Sequence, residues 1–126
     1  MTLYHFCAAR HRKSIQYTGI RIGGVCLSGE KGYNAKTGYI WLTTDPDPGS
    51  QSWATRHMIP YSRTAYRFTV EIPESQTHNI LDRDALEKEI PGSGALFDGW
   101  PGSENWRVYR GLISKQWLIH CENTEK

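Results

Sequence analysis

The chain has 126 residues, 38% of them hydrophobic and 22% charged, with a formal charge of +2 from 15 Lys and Arg against 13 Asp and Glu. Such a length supports one hydrophobic core, so residues 1–126 read as a single domain that needs neither a metal nor a disulfide framework to fold. Five Trp, seven Tyr and three Phe exclude disorder for most of the chain, no apolar run reaches the roughly 20 residues of a membrane helix, and the start Met1-Thr2-Leu3-Tyr4-His5, without a basic and then an apolar stretch, leads one to expect an unexported chain.

Leu3 to Cys7 is aromatic and apolar and predicts a short strand, followed by a polar helical stretch from Ala8 to Tyr17 that ends at the glycine signal Thr18-Gly19. Ile20-Arg21-Ile22 predicts a brief extended piece. Gly23-Gly24 then opens a segment with Gly29, Gly32 and Gly38, expected to be a mobile loop. Tyr39 to Thr44 is β-branched and aromatic and predicts a strand, stopped by Asp45-Pro46-Asp47-Pro48-Gly49. Ser50 to Arg56 predicts a short helix with Ser50 as its N-cap. In Arg63 to Ile72, Tyr66, Phe68, Val70 and Ile72 alternate with Arg67, Thr69 and Glu71, the pattern of a half-buried strand closed by Pro73. Asp82 to Ile90 predicts a charged helix, 91–105 a second glycine-rich loop, and Trp106–Tyr109 and Trp117–His120 two more strands. No long helical crossovers separate the strands, which points to an α+β domain with five or six short strands and two or three helices rather than a doubly wound parallel sheet.

Cys7, Cys26 and Cys121 form an odd set without a CxxC pair, which fits a reducing, cytoplasmic setting and small buried hydrophobes. The five His show no HExxH or zinc-finger spacing, so no metal site is suggested. Arg10, Arg12 and Lys13 cluster near the N-terminus, followed by Arg21, Lys31 and Lys36. They form either a positive face beside a bound anion or a solvated helix face.

Four pieces, in order, resemble the ADP-ribosyltransferase fold, in the branch that includes diphtheria-type toxins, poly(ADP-ribose) polymerases and DarT-like toxins. Leu3-Tyr4-His5-Phe6 with Ser14 to Ile20 is similar to that group's opening strand, with its His, and the helix after it. Gly38 to Thr43 is similar to the glycine-led strand whose aromatic stacks on nicotinamide, and Ser50 to Ala54 to the serine-containing helix start that follows. Trp106 to Tyr109 with Gln116 to Ile119 is similar to the late strand pair at whose start the catalytic Glu sits. The resemblance implies split, mostly antiparallel sheets around an NAD cleft. It implies a mono-ADP-ribosyltransferase or NAD glycohydrolase of toxin-like or phage-encoded type, cleaving the nicotinamide–ribose bond and transferring ADP-ribose to a macromolecule or to water.

That chemistry leaves an oxocarbenium-like ribose, so the site must hold the nicotinamide, grip the pyrophosphate and set a carboxylate by the ribose. The resemblance gives His5 the ribose hydroxyls, the backbone at Phe6 the carboxamide, and Trp41, with Tyr39 on the same face, the nicotinamide ring. Ser50 or Ser52 would support the site, and Arg10, Arg12, Arg21 and Lys31 are candidates for the pyrophosphate. Each has a structural rival: core packing for His5 and Trp41, helix capping for the serines, a solvated face for the arginines. The family register of the catalytic acid lands on Asn105, one residue after Glu104, and a bulge at the strand start would turn Glu104 inward. Glu71 and Asp98 are the other carboxylates, read ahead of that role as a salt-bridge partner of Arg67 and as a turn residue. Glu104 favours an enzyme; Asn105 favours a module that binds NAD or ADP-ribose without turning it over. A nucleic-acid accessory protein that stacks bases on exposed aromatics is a third expectation, against which the nearly balanced charge speaks.

Overall fold

Alternation along Tyr66–Glu71 sends Phe68 and Val70 into a fully buried core and leaves Arg67, Thr69 and Glu71 half-exposed, and this strand orders its two neighbours. The computed structural model describes residues 1–29, 32–55 and 61–125. In chain order they form β1 (Thr2–Cys7), α1 (Arg12–Thr18), β2 (Gly24–Gly29), β3 (Gly32–Thr37), β4 (Tyr39–Thr43), β5 (Tyr66–Glu71), β6 (Ile80–Leu81), α2 (Arg83–Glu89), β7 (Trp106–Arg110) and β8 (Leu118–Asn123), with short 3-10 turns between them. Six strands make one sheet in the order β6-β7-β4-β1-β5-β8, and β2 and β3 pair with each other as a separate hairpin. Every pairing is antiparallel. The domain is therefore a mixed α+β one with mostly antiparallel sheets and a few short helices. No helix among the described residues is long and apolar enough to cross a membrane.

The period of two distributes the apolar residues to both faces of the sheet. β4 gives Ile40 and Leu42 to one core and Tyr39 and Trp41 to the other, and β7 does the same with Tyr109 and Val108. The first core joins Leu3, Cys7, Phe68 and Val70 to Ile15 of α1 and to Ile20 and Ile113. The second joins Trp41, Trp106 and Val108 to Leu86 of α2, Val25 of β2 and Phe97. Burial pushes the Cys7 thiol up to about 11 and also raises Cys121, so both behave as packing residues. Asp82 caps α2 by accepting from Ala85 N at 2.9 Å, an interaction worth about 1 kcal/mol.

Several expectations need correction. The segment from Gly23 to Gly38 is no loop over its described part but the hairpin β2–β3, tied down by Val25 and by the bond from Trp41 Nε1 to Gly24 O at 3.0 Å. The helix expected at Ser50–Arg56 is replaced by the 3-10 turns Pro48–Ser50 and Ser52–Thr55, and the cap is Asp47, which accepts from Gly49 N, rather than Ser50; Arg56 lies outside the described residues. Arg67 does not pair with Glu71. It bonds Glu122 at 2.8 Å, while Glu71 takes the Met1 amino group at 3.0 Å.

Gly19 locks α1 to the sheet. It closes the helix by donating to Ile15 O at 2.8 Å, adopts φ 82° and ψ −175°, and leads into Ile20, which exchanges two backbone bonds with Ile113. That backbone region is essentially restricted to glycine, and a Cβ there would stand 2.2 Å from Ile113 O. Gly99 also has positive φ, but open space surrounds the place its Cβ would take. Gly19→Ala is expected to lower the unfolding free energy by more than about 3 kcal/mol, and Gly99→Ala by about 1 kcal/mol. Urea unfolding of the two variants checks this, and equal losses would contradict the close approach at Gly19.

Candidate functional site

β1 pairs with β5 at six register positions and β4 pairs with β7 at five, yet β1 and β4 share a single one, Tyr4 opposite Thr43. Beyond that pair the two central strands part. The C-terminal end of β1 runs towards α1, and the N-terminal end of β4 joins the hairpin. His5 fills the gap. Its Nδ1 lies 3.0 Å from Trp41 O, so a carbonyl that a sheet ladder would have used is satisfied by a side chain.

A carbonyl only accepts, so Nδ1 carries the proton. Burial holds the His5 pKa below its ordinary value of 6.5, outweighing the opposite effect of the Trp41 bond, and His11 nearby acts in the same direction as burial. In the resulting neutral ring Nε2 is an acceptor. It has no hydrogen-bond partner among the described residues.

The parted strands floor a cleft with two lobes, each with a cavity volume of about 580 Å³, within the range of small-molecule sites, about 300–1,000 Å³. The lobe beside α1 carries His11, Arg21 and Tyr61. The lobe beside the hairpin carries Cys26, Gln51, Trp41, Trp100 and Trp106. His5, Phe6, Trp53 and Arg63 line both. No Asp or Glu lines either lobe among the described residues.

The aromatic lobe is built from rings that hold one another in place. Trp41 lies 5.4 Å from Phe97 and edge-on to Trp106 at 6.1 Å, and Trp100 stands 6.3 Å from Trp106. Such pairs contribute about 0.5–1.5 kcal/mol each beyond area burial. Gln51, buried, fixes the wall opposite: Nε2 donates to Asp45 O and Asp47 O at 3.2 and 2.9 Å, and Oε1 accepts from Trp53 Nε1 at 3.2 Å.

Of the residues expected from sequence, His5, Phe6, Arg21 and Trp41 line the cleft. The others are placed elsewhere. The Tyr39 hydroxyl donates to Glu89 at 2.8 Å, the main reason its pKa is raised. Arg12 lies over the Tyr66 ring at 5.1 Å and donates to Gln16 at 3.3 Å, and Arg10 lies over Tyr61 at 4.5 Å. Ser50 donates to Asp47 at 3.1 Å, and Ser52 to Pro101 O at 2.9 Å. Glu104 is exposed on the 3-10 turn Ser103–Asn105 that precedes β7, and the Asn105 carbonyl accepts from Thr44 N at 2.9 Å. Asp98 is held by Arg83 at 3.0 and 3.1 Å, which lowers its pKa. Glu71 is lowered chiefly by its bond from the Thr2 hydroxyl. Lys31 lies outside the described residues.

Sequence reasoning missed His11, Gln51, Trp53, Arg63, Trp100 and Trp106 as cleft residues. Gln51, Trp53 and Trp100 are in segments without a usable hydrophobic period, and Arg63 stands ahead of the alternating residues of its predicted strand. The chain matches no protein-family model, no curated protein and no solved structure.

His5 makes stability pH-dependent with a defined sign. Its folded pKa is below 6.5, so the unfolded chain binds more protons just below that pH. The contribution is complete above 6.5 and is lost as pH falls through the folded value. The urea midpoint is expected to drop between pH 7.5 and 5.5, and to drop less in His5→Asn, whose amide keeps a donor for Trp41 O. Parallel pH profiles for the two proteins would contradict a neutral buried His5.

Proposed function

We propose that the cleft binds a dinucleotide of the NAD and ADP-ribose class, with the nicotinamide end in the aromatic lobe beside Trp41 and the phosphates beside the arginines. The observation that carries this reading is the single-pair junction between β1 and β4, with His5 in the gap and one lobe on either side. A split sheet around the cleft is the arrangement that the resemblance to ADP-ribosyltransferases leads one to expect. The chemistry of the walls supports it. Trp rings offer flat apolar faces to a base or nicotinamide, Arg21 and Arg63 offer charge to phosphate, and His5 Nε2 offers an acceptor to a ribose hydroxyl.

A second reading, NAD-dependent mono-ADP-ribosyl transfer to a macromolecule, is favoured by the place of Glu104. It lies two residues before Trp106, the first residue of β7 and part of the aromatic wall. In this reading Glu104 turns inward on NAD binding and stabilises the developing positive charge on the ribose. In the binding-only reading it stays at the surface.

NAD and ADP-ribose at 100 times their Kd are each expected to stabilise the protein by about 2.7 kcal/mol, a rise of several degrees in Tm. No shift with either at millimolar concentration would overturn the binding reading. Release of free nicotinamide separates the two readings. Turnover that falls about 100-fold in Glu104→Gln, with the thermal shift retained, establishes transfer or hydrolysis; a shift without release leaves the binding module.

A further inference from the structure

Four residues line both lobes, and of these only Arg63 carries a permanent charge. Its guanidinium lies over the Trp53 ring, 4.9 Å from the centroid. Its one hydrogen bond among the described residues is long, from Nη1 to Trp53 O at 3.4 Å, and it has no carboxylate partner among them. Other arginines of the protein are held by acids: Arg67 by Glu122, Arg83 by Asp98, Arg110 by Glu89. Among the described residues Arg63 therefore leaves most of its five N–H donors unused, at the waist of a cleft that has no acidic wall among them. A guanidinium resting on an aromatic face is oriented while its in-plane fork stays open to a bidentate oxygen acceptor.

We propose that Arg63, presented by Trp53, is the residue that reads the diphosphate bridge of the ligand and sets the preference of the cleft for phosphate-bearing ligands over nucleosides. The inference rests on the dinucleotide reading and adds the residue and the ligand group that decide specificity. A two-headed ligand with one ring in each lobe must pass its bridge through the waist, where Arg63 is the fixed charge. Arg21, exposed at the outer edge of the basic lobe, meets solvent and adds less.

Calorimetric titration of the wild type, Arg63→Met and Arg63→Lys with ADP-ribose, adenosine and inorganic pyrophosphate tests this. Arg63→Met is expected to bind ADP-ribose about 10- to 100-fold more weakly, to bind adenosine as the wild type does, and to lose competition by pyrophosphate. Arg63→Lys, which keeps the charge without the fork, should recover part of the loss. Equal ADP-ribose affinity in Arg63→Met would overturn the inference while leaving the dinucleotide reading in place. Parallel losses of adenosine and ADP-ribose would assign Arg63 a structural role and overturn it too. Wild-type binding of pyrophosphate but not ADP-ribose would support Arg63 as the phosphate reader and overturn the dinucleotide reading.

Discussion

The parting of β1 from β4 beyond Tyr4 and Thr43 is the constraint on which the rest of the molecule depends. Two central strands that separate inside a sheet leave backbone groups without ladder partners, and a buried unpaired carbonyl costs about 1–3 kcal/mol. The bond from His5 Nδ1 to Trp41 O removes that cost at one point of the gap. It also fixes the tautomer, so one hydrogen bond both tolerates the split and aims an acceptor nitrogen.

The elements on either side of the gap are fastened to different cores, α1 to the first and the hairpin to the second. The β1–β5–β8 half is anchored by Leu3, Phe68 and Val70, with α1 fastened through Gly19 and the Ile20–Ile113 bridge. The β4–β7–β6 half is anchored by Val108, Leu81 and Leu86, with the hairpin tied on through Val25 and Trp41. The first core also spans the sheet, joining Ile40 and Leu42 of β4 and Tyr109 of β7 to Leu3 and Phe68. Trp41 serves packing and cleft at once: its ring packs on Phe97 and Trp106, its Nε1 donates to Gly24 O, and it still lines the cavity. Core packing and a place on the cavity wall are therefore compatible at this position.

The strands with strong local character were legible. β1, β4, β5 and β7 come from aromatic and β-branched runs, and α2 from the charged stretch Asp82 to Ile90. The hairpin was not, because only Val25 and Leu27 of its described residues join a core, so its alternation is nearly silent among glycines and polar residues. The two-residue β6 is too short to leave a period. His5, Phe6 and Trp41 stood on predicted strands, and all three line the cleft. Trp53 and Arg63 belong to two different expected elements, and only the tertiary fold brings them to the same cavity walls as His5. Of the N-terminal charge cluster, Arg10 and Arg12 each lie over a tyrosine ring, Tyr61 and Tyr66, and Tyr61 itself lines the lobe beside α1.

The central claim is that the split between β1 and β4 is a dinucleotide site. A crystal structure of the protein soaked with ADP-ribose tests it most directly. The account predicts the ligand lying across the split, its diphosphate within hydrogen-bonding distance of Arg63 and a ribose hydroxyl donating to His5 Nε2. ADP-ribose bound away from His5 and Arg63, or an empty cleft at saturating ligand, would contradict it.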